Sequence, residues 1–500
     1  MQIPTIAEAS TLIAARELSP VELVEQCLSR IEALDSTLNS FITLTPERAL
    51  TEAKAAEGRM MAGELRGRLD GIPIAHKDIF NTRGIPTTAN SRVLEGWLPS
   101  EDAQAVARWA EAGTSMLGKL TLHEFALGGP SFDLPWPPAR NPWNPDHFTS
   151  GSSSGTAAAI AAGLILGGSG SDTGGSIREP ASMCGISGIK PTYGLCSRRG
   201  ILPLAPSLDH PGPMAWTAED CALLLQAMAG HDPADPASVN RPVPDFSAGL
   251  GQGVKGLRIG VAREWHESES PVSQAAQKGI DNALAVWSEQ GAEITELAMP
   301  SLREYQELTL IILTCEAYAF HEQNLRRRLH DYGEILRDRL ALGALLTSAD
   351  YLQALRRRSN LCARTANATS DVDVIVTAGV GSEAARIDSV SKWGHLANPG
   401  FTKPFNLTGW PAISVCSGYG EGGLPVAVQI ATRPFGEPLL FQVADAFEKA
   451  TAFRTSRPSL TFGSSGQSNG CARASDLERE GWTDLVPAPA PRTTGQVTDS

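Results

Sequence analysis

The glycine- and serine-rich segment from Thr149 to Gly185 constrains this 500-residue chain more than any other part of it. It contains two loops, TSGSSSGT from Thr149 and SDTGGSIREP from Ser171, joined by a run of small apolar residues. Glycine allows the backbone to approach another group closely, so the two loops indicate a place where N–H groups and hydroxyls converge on a ligand. A flexible linker is the alternative, but linkers do not carry an apolar run such as Ala157–Gly168. We therefore expect a pair of functional loops around a buried element.

The same segment resembles the core of the amidase signature family, a group of Ser–cisSer–Lys amidohydrolases. The residues that carry the resemblance are SGSSSGT, SDTGGSIREP and CGISGIKPTYG, between positions 150 and 194. It continues upstream in GIPIAHKDIF and RNPWNP, and downstream in PLAPSLDHPGPMA, PFNLTGWPAISV and GLPVAVQI. The resemblance reaches about residue 455 and is loosest between about 230 and 395, so it covers most of the chain.

The resemblance implies an α/β fold: a single large domain with a central twisted mixed β-sheet covered by α-helices on both faces. The residue pattern agrees, because short apolar runs alternate with amphipathic stretches such as Leu18–Leu34. We expect the domain to span residues 1–462, with its signature core at about 140–215. The polar, Pro–Ala-rich composition predicts a disordered tail over 463–500. The helical block Leu302–Ala366 is expected to form a wall of the substrate funnel.

Matching residue for residue, the resemblance implies three catalytic side chains. Ser176 would be the nucleophile, Ser152 the bridging serine and Lys77 the base. Serine is a weak nucleophile until a neighbouring base removes its proton, and a lysine can do so only when burial makes it neutral. Lys77 lies in the apolar sequence GIPIAHKDIF, as such a lysine would. The expected reaction is formation and hydrolysis of an acyl-enzyme.

The loop around the nucleophile supplies the other expected site residues. The oxyanion would be held by backbone N–H groups of Thr173, Gly174, Gly175 and Ser176. Supporting roles are expected for Asp172 and Arg178, which would brace the loop, and for Ser153. This chemistry requires no metal and no cofactor. The sequence departs from the family pattern at five positions: Ser150, Ser154, Thr156, Leu120 and His123. These departures leave the triad in place but put the substrate preference in doubt.

Other motifs in the sequence match known functional patterns, but the residues around them do not fit the structures that those patterns require. Residues 151–155 fit G-x-S-x-G, which would make Ser153 the nucleophile, but that motif should follow a buried strand and DHFTS before it is polar. GQGVKG at 251–256 precedes a strand instead of following one, so a dinucleotide site is disfavoured. GTSMLGK at 113–119 is followed by Leu120 where a phosphate-binding loop needs Ser or Thr. The histidines lack the paired spacing of a metal hydrolase.

Composition sets expectations about partners and location. The formal net charge of −13 disfavours direct binding of nucleic acid. Neither a secretory signal nor a membrane span is visible, and eight scattered cysteines without a C-x-x-C pair favour a reduced, cytoplasmic setting. The expected partner is a small-molecule amide, with no direct nucleic acid and no membrane. The sequence leaves open whether the chain forms a homodimer.

The sequence therefore predicts an amidohydrolase that cleaves amide bonds, with esters or carbamates as further substrates. Because the block Leu302–Ala366 is rich in apolar residues, small aryl amides are expected to be better substrates than free glutamine. The alternative is the glutaminase (A) subunit of a tRNA-dependent amidotransferase, which resembles this chain in SDTGGSIR and SRRGILPLAPSLD. A catalytically silent binding protein is disfavoured because Lys77, Ser152 and Ser176 are all present.

Overall fold

The second helix of the chain illustrates how the local sequence determines where a helix begins and ends. Helix α2 (Pro20–Leu38) begins where the Ser19 hydroxyl accepts hydrogen bonds from the N–H groups of Val21 and Glu22, with proline in its first turn. It ends at Asn39, whose φ of 52° is left-handed. Its buried residues recur at helical spacing and form one face. This helix corresponds to the predicted one at Leu18–Leu34.

The computed structural model describes residues 3–397 and 399–460. The strands of this part are β1 (Phe41–Leu44), β2 (Pro73–Lys77), β3 (Ser115–Leu120), β4 (Gly167–Asp172), β5 (Ser187–Lys190), β6 (His210–Ala215), β7 (Arg258–Val261), β8 (Glu293–Glu296), β9 (Val374–Ala378), β10 (Ala412–Tyr419) and β11 (Pro425–Ala431). The other α-helices are α1 (Ile6–Ala14), α3 (Pro46–Ala62), α4 (Gln104–Glu111), α5 (Ser154–Ala161), α6 (Arg178–Cys184), α7 (Ala218–Met228), α8 (Gln274–Glu289), α9 (Leu302–Arg328), α10 (Glu334–Ala341), α11 (Ser348–Ala368), α12 (Gly394–Ala397), α13 (Lys403–Leu407) and α14 (Glu437–Ala450). The predicted boundary at 462 and the predicted tail lie outside the described residues.

All of these strands join in one mixed sheet. Its order is β1-β3-β2-β4-β6-β5-β10-β11-β9-β7-β8. Strand β2 is parallel to β3 and β4, and β7 is parallel to β8 and β9, whereas the central strands from β4 to β9 pair antiparallel. A single domain with a large mixed sheet flanked by helices was the predicted fold, and it is confirmed. Within the described residues, no helix is both long and apolar enough to cross a membrane.

Both faces of the sheet are buried. Successive side chains of a strand point to opposite faces, and here neighbours enter two different hydrophobic clusters. Ile74 belongs to one cluster and Ala75 to the other, and Met116 and Leu117 divide in the same way. Strands buried on both faces are encoded as apolar runs and not as an alternation of apolar and polar residues.

The pairing of β2 with β4 positions the functional loops. The two strands are parallel, with His76 opposite Ser169, so their carboxyl ends meet at one edge of the sheet. Lys77 ends β2 and Asp172 ends β4 at that edge. The apolar run Ala157–Gly168 forms the end of α5 and the start of β4, which carry the two glycine-rich loops on either side.

Candidate active site

A buried lysine lies at the centre of the site. Lys77 is fully buried, and its Nζ lies 2.7 Å from Ser152 Oγ, 3.0 Å from Ser153 Oγ and 2.9 Å from Ser171 Oγ. Burial lowers the pKa of Lys77 to about 7, against the opposing pull of two carboxylates, Asp172 and Asp209. An amine with this pKa is substantially neutral at physiological pH, so it can accept a proton from a hydroxyl.

The loop before α5 brings Ser152 to the lysine. The Gly151–Ser152 peptide is cis, and the Ser152 carbonyl accepts a hydrogen bond of 3.1 Å from the His123 N–H. A Cβ at position 151 would overlap the His123 ring, so only glycine fits there. That ring stacks on Phe148 with centroids 5.6 Å apart, and burial lowers the pKa of His123 to about 3. The His123 side chain is therefore uncharged and forms part of the wall of the site.

Ser176 occupies the turn between β4 and α6. Its carbonyl accepts a hydrogen bond of 3.3 Å from the Ser153 N–H, which ties the two glycine-rich loops together. Ser152 and Ser176 line the same cavity, which has a volume of about 780 Å³. Among the described residues the Ser176 hydroxyl makes no hydrogen bond, and catalytic hydrogen bonds are often long without substrate. The structure thus places Ser152 and Ser176 on one cavity, and the buried Lys77 contacts Ser152 directly.

The backbone N–H groups of the loop that carries Ser176, here called the nucleophile loop, form two sets. One set donates to a carboxylate of the protein, and the other does not. The N–H groups of Gly175 and Ile177 donate to the Asp172 carboxylate at 2.9 and 3.1 Å. The N–H groups at 173, 174 and 176 donate to no acceptor within the described residues. We expected the Gly175 N–H to point at the oxyanion. In the structure, this N–H donates to the Asp172 carboxylate instead. The φ of 139° at Gly175 and its closeness to Glu179 Oε1 require glycine at this position.

An ion pair beneath the loop fixes its shape. Arg178 Nη2 lies 2.8 Å from Asp172 Oδ1 and Arg178 Nε lies 2.9 Å from Oδ2, with both side chains fully buried. Burial alone would raise the pKa of Asp172, but Arg178 holds it well below its usual range. The remaining N–H groups of Arg178 donate to Thr402 O, Gln429 Oε1 and Asn406 Oδ1 at 2.8, 2.6 and 2.6 Å. The loop is thereby attached to the last quarter of the described chain.

Two further polar residues of the site were not singled out in the sequence. Ser171 contacts Lys77 Nζ, and the half-buried Asp209 accepts a hydrogen bond of 2.6 Å from the Thr173 hydroxyl. Asp209 also accepts from the backbone of Leu204 and Ala205. Both residues lie in quoted parts of the resemblance, SDTGGSIR and APSLDHPG, and that position was the available signal.

The cavity wall combines apolar residues with charged side chains. The helical block expected to line the funnel does contribute Thr309, Leu310, Leu313 and Arg339. However, the lining also includes the charged side chains of Lys403 and Glu179, which lie outside that block. No group of three or more His, Cys, Asp or Glu side chains is placed to hold a metal ion in the part of the chain that the structure describes.

Comparison with known proteins identifies relatives along nearly the whole chain. The family model described as Amidase matches residues 22–441. The chain is 40% identical over 482 residues to the A subunit of a glutamyl-tRNA(Gln) amidotransferase from Chloroflexus aggregans, covering 91% of this chain and 98% of the relative. It is 39% identical to the protein of the same name from Geobacter metallireducens, covering 91% of this chain and 99% of the relative.

Solved structures show the same fold with several activities. A vestigial protein complex that reveals the origins of an s-triazine catabolic enzyme contains a chain with a TM-score of 0.84 and 33% identity, covering 89% of this chain and 98% of that one. A peptide amidase from Stenotrophomonas maltophilia has a TM-score of 0.79 and 31% identity, with coverage of 91% and 98%. The A subunit of the glutamyl-tRNA(Gln) amidotransferase from Thermotoga maritima has a TM-score of 0.77 and 31% identity, with coverage of 92% and 98%.

These relatives correct one prediction. The negative net charge led us to exclude nucleic acid as a direct partner, and the expected partner was a small-molecule amide, with a homodimer left open. The relatives at 39–40% identity are subunits of an amidotransferase that has glutamyl-tRNA(Gln) in its name. The exclusion is therefore wrong, because bulk charge describes the average field of one chain and not the surface of an assembly to which it contributes one subunit.

Proposed function

Because this chain belongs to the amidase family, which hydrolyses carbon–nitrogen bonds, we propose that Ser176, Ser152 and Lys77 form a proton relay for cleaving a carboxamide. We propose further that the chain is the amide-hydrolysing A subunit of a glutamyl-tRNA(Gln) amidotransferase, releasing ammonia from glutamine. One observation carries the chemistry: a fully buried amine, with a pKa of about 7, lies 2.7 Å from a serine hydroxyl at a cavity that also contains a second serine.

The relay accounts for both halves of the reaction. Neutral Lys77 accepts the Ser152 proton while Ser152 accepts that of Ser176, whose Oγ forms a bond to the carbonyl carbon. The N–H groups at 173, 174 and 176 stabilise the negative charge that develops on the carbonyl oxygen. Ser152 then returns a proton to the nitrogen as the C–N bond breaks, so ammonia leaves. Water attacks the acyl-enzyme through the same relay and releases the carboxylate and the free Ser176 hydroxyl.

Two observations support glutamine as the amide donor. The relatives named for the amidotransferase align with this chain over 98–99% of their own length, so the similarity extends over nearly the whole of these proteins. The cavity lining carries both signs of charge, in Lys403, Arg339 and Glu179, which suits a substrate with an ammonium and a carboxylate better than an uncharged aryl amide.

The test is to express the chain alone and together with the other subunits of the amidotransferase. Glutamate release from glutamine is measured for each preparation with and without tRNA, and the Ser176→Ala variant serves as the inactive control. The proposal predicts a stable complex whose glutaminase activity exceeds that of the isolated chain. If no complex forms and glutamine is not hydrolysed in any preparation, the assignment to the amidotransferase fails.

A second candidate is a stand-alone amidase that acts on larger amides. The peptide amidase structure superimposes at least as well as the amidotransferase structure, with TM-scores of 0.79 and 0.77 at the same 31% identity. In addition, a cavity of about 780 Å³ has room for a ligand much larger than glutamine. Hydrolysis of aryl amides, peptide C-terminal amides, esters or carbamates by the isolated chain, without glutaminase activity, would establish this candidate.

A further inference from the structure

Lys403 lines the cavity beside the loop that carries Ser176. It is the first residue of α13, it is half-buried, and it lines the same cavity as Ser152 and Ser176. A Cβ at Gly174 would lie 3.9 Å from Lys403 Cγ, and one at Gly400 would lie 2.5 Å from Lys403 Nζ. The methylene part of the side chain thus lies beside the loop that carries the nucleophile, and the amine lies beside the backbone of Gly400.

This amine has no counter-ion in the described part of the chain. Lys403 takes part in no ion pair and no hydrogen bond there through its side chain, whereas the buried Lys119 is paired with Asp78 at 2.9 Å and the half-buried Lys392 with Glu334 at 2.6 Å. A half-buried cation is normally compensated by an opposite charge, because burial removes part of its hydration. On a cavity wall, an anion on the ligand can supply that compensation.

A second cation strengthens the positive field at this end of the cavity. Arg339 is half-buried and donates to the backbone carbonyls of Leu127, Gly128 and Lys392, with no carboxylate partner among the described residues. Because these carbonyls occupy most of its N–H groups, Arg339 contributes charge more than a free binding group. Burial, Arg339 and Lys403 together lower the pKa of His395 to about 3, which places both cations close to that neutral ring.

One carboxylate, that of Glu179, belongs to the same cavity lining. Glu179 Oε1 accepts a hydrogen bond of 2.9 Å from the Thr402 hydroxyl, and Glu179 forms no ion pair with Lys403. The lining therefore carries a net positive charge from its Lys, Arg and Glu side chains. An overall positive lining favours a ligand that brings a negative group to the Lys403 end.

We propose that Lys403 binds a carboxylate of the substrate, so that the enzyme selects amides that bear a free carboxylate away from the scissile bond. The proposal rests on the proposed amidase function and adds the residue that determines specificity. A charge-assisted hydrogen bond in a partly desolvated site is expected to favour the carboxylate over a neutral isostere by about 10- to 100-fold.

The experiment compares glutaramate with glutaramide, which has a neutral carboxamide in place of the carboxylate. Their dissociation constants are measured by calorimetry on the Ser176→Ala variant, so the result does not depend on turnover. We expect glutaramate to bind about 10- to 100-fold more tightly, and we expect Lys403→Met in the same background to remove that preference. Lys54→Met is the matched control, since Lys54 is exposed on α3 and outside the cavity lining.

The outcomes separate this proposal from the proposed function. Equal affinity for the two compounds, lack of binding by both, or a preference that survives Lys403→Met would overturn the role of Lys403. Ammonia release from the same pair by the enzyme with Ser176 intact tests the amidase function separately. A carboxylate preference in binding without any ammonia release would uphold Lys403 and reject the hydrolytic function.

Discussion

Replacing Lys77 with methionine has two effects of opposite sign on the free energy of unfolding, and together they test the site. The pKa of the buried amine is about 7 instead of its ordinary 10.5, so the unfolded chain binds the proton more tightly than the native protein. Native stability therefore rises with pH between about 7 and 10.5 and is lowest at and below pH 7. At about 1.4 kcal/mol per pKa unit, burying this amine costs about 4 kcal/mol at pH 7 and about 2 kcal/mol at pH 9.

Methionine removes that cost together with the contacts to three serine hydroxyls. Each lost hydrogen bond is worth about 1 kcal/mol, or about 3 kcal/mol in all. The Lys77→Met variant is thus expected to be about as stable as the parent protein at pH 7. Between pH 7 and pH 9 its stability relative to the parent should fall by about 2 kcal/mol. Its activity should be lower by about 10³-fold at either pH, because the proton relay has lost its base.

The assays are urea unfolding of both proteins at pH 7 and pH 9, and kcat/KM against pH for the parent. Because only neutral Lys77 can accept a proton, kcat/KM should rise about tenfold per pH unit below pH 7 and level off above about pH 8. Lys77→Arg, which cannot deprotonate in this range, should be as inactive as Lys77→Met. A stability difference that does not change with pH would refute the argument, as would a rate that is level from pH 5 to pH 8.

Three further outcomes are expected. Ser176→Ala should abolish turnover and labelling by a fluorophosphonate, and mass spectrometry of the parent should place the adduct on Ser176; an adduct on Ser153 would establish the rival nucleophile. Ser152→Ala and Lys77→Ala should each lower kcat by orders of magnitude, and the double variant should be little worse than either, whereas losses that multiply would count against one shared relay. Arg178→Met leaves a buried carboxylate unpaired and should lower the free energy of unfolding by about 3–5 kcal/mol; a loss below about 1 kcal/mol in urea titrations would show that the ion pair does not brace the loop.

The sequence by itself determined the elements whose causes are local. The Ser–Pro start of α2 and the apolar runs of β2 and β3 predict those elements because capping and periodic burial depend on nearby residues. The glycine-rich loops were recognisable as functional for a similar reason, and the resemblance they carry implied the candidate catalytic residues. Backbone that must pass close to another group tolerates few side chains, so positions such as Gly151 are visible as a pattern of small residues.

The tertiary structure alone decided which distant groups share an environment. Lys77 and Ser152 are 75 positions apart, and Asp172 and Asn406 are 234 positions apart, yet each pair is in hydrogen-bond contact. Pairing of β2 with β4 and packing of α13 against the nucleophile loop create these contacts, and no local pattern specifies them. For the same reason the charge of the cavity was not predictable. The effect of a cation such as Lys403 depends on whether the fold gives it a counter-ion, because burial and Coulomb interactions act through space and not along the chain.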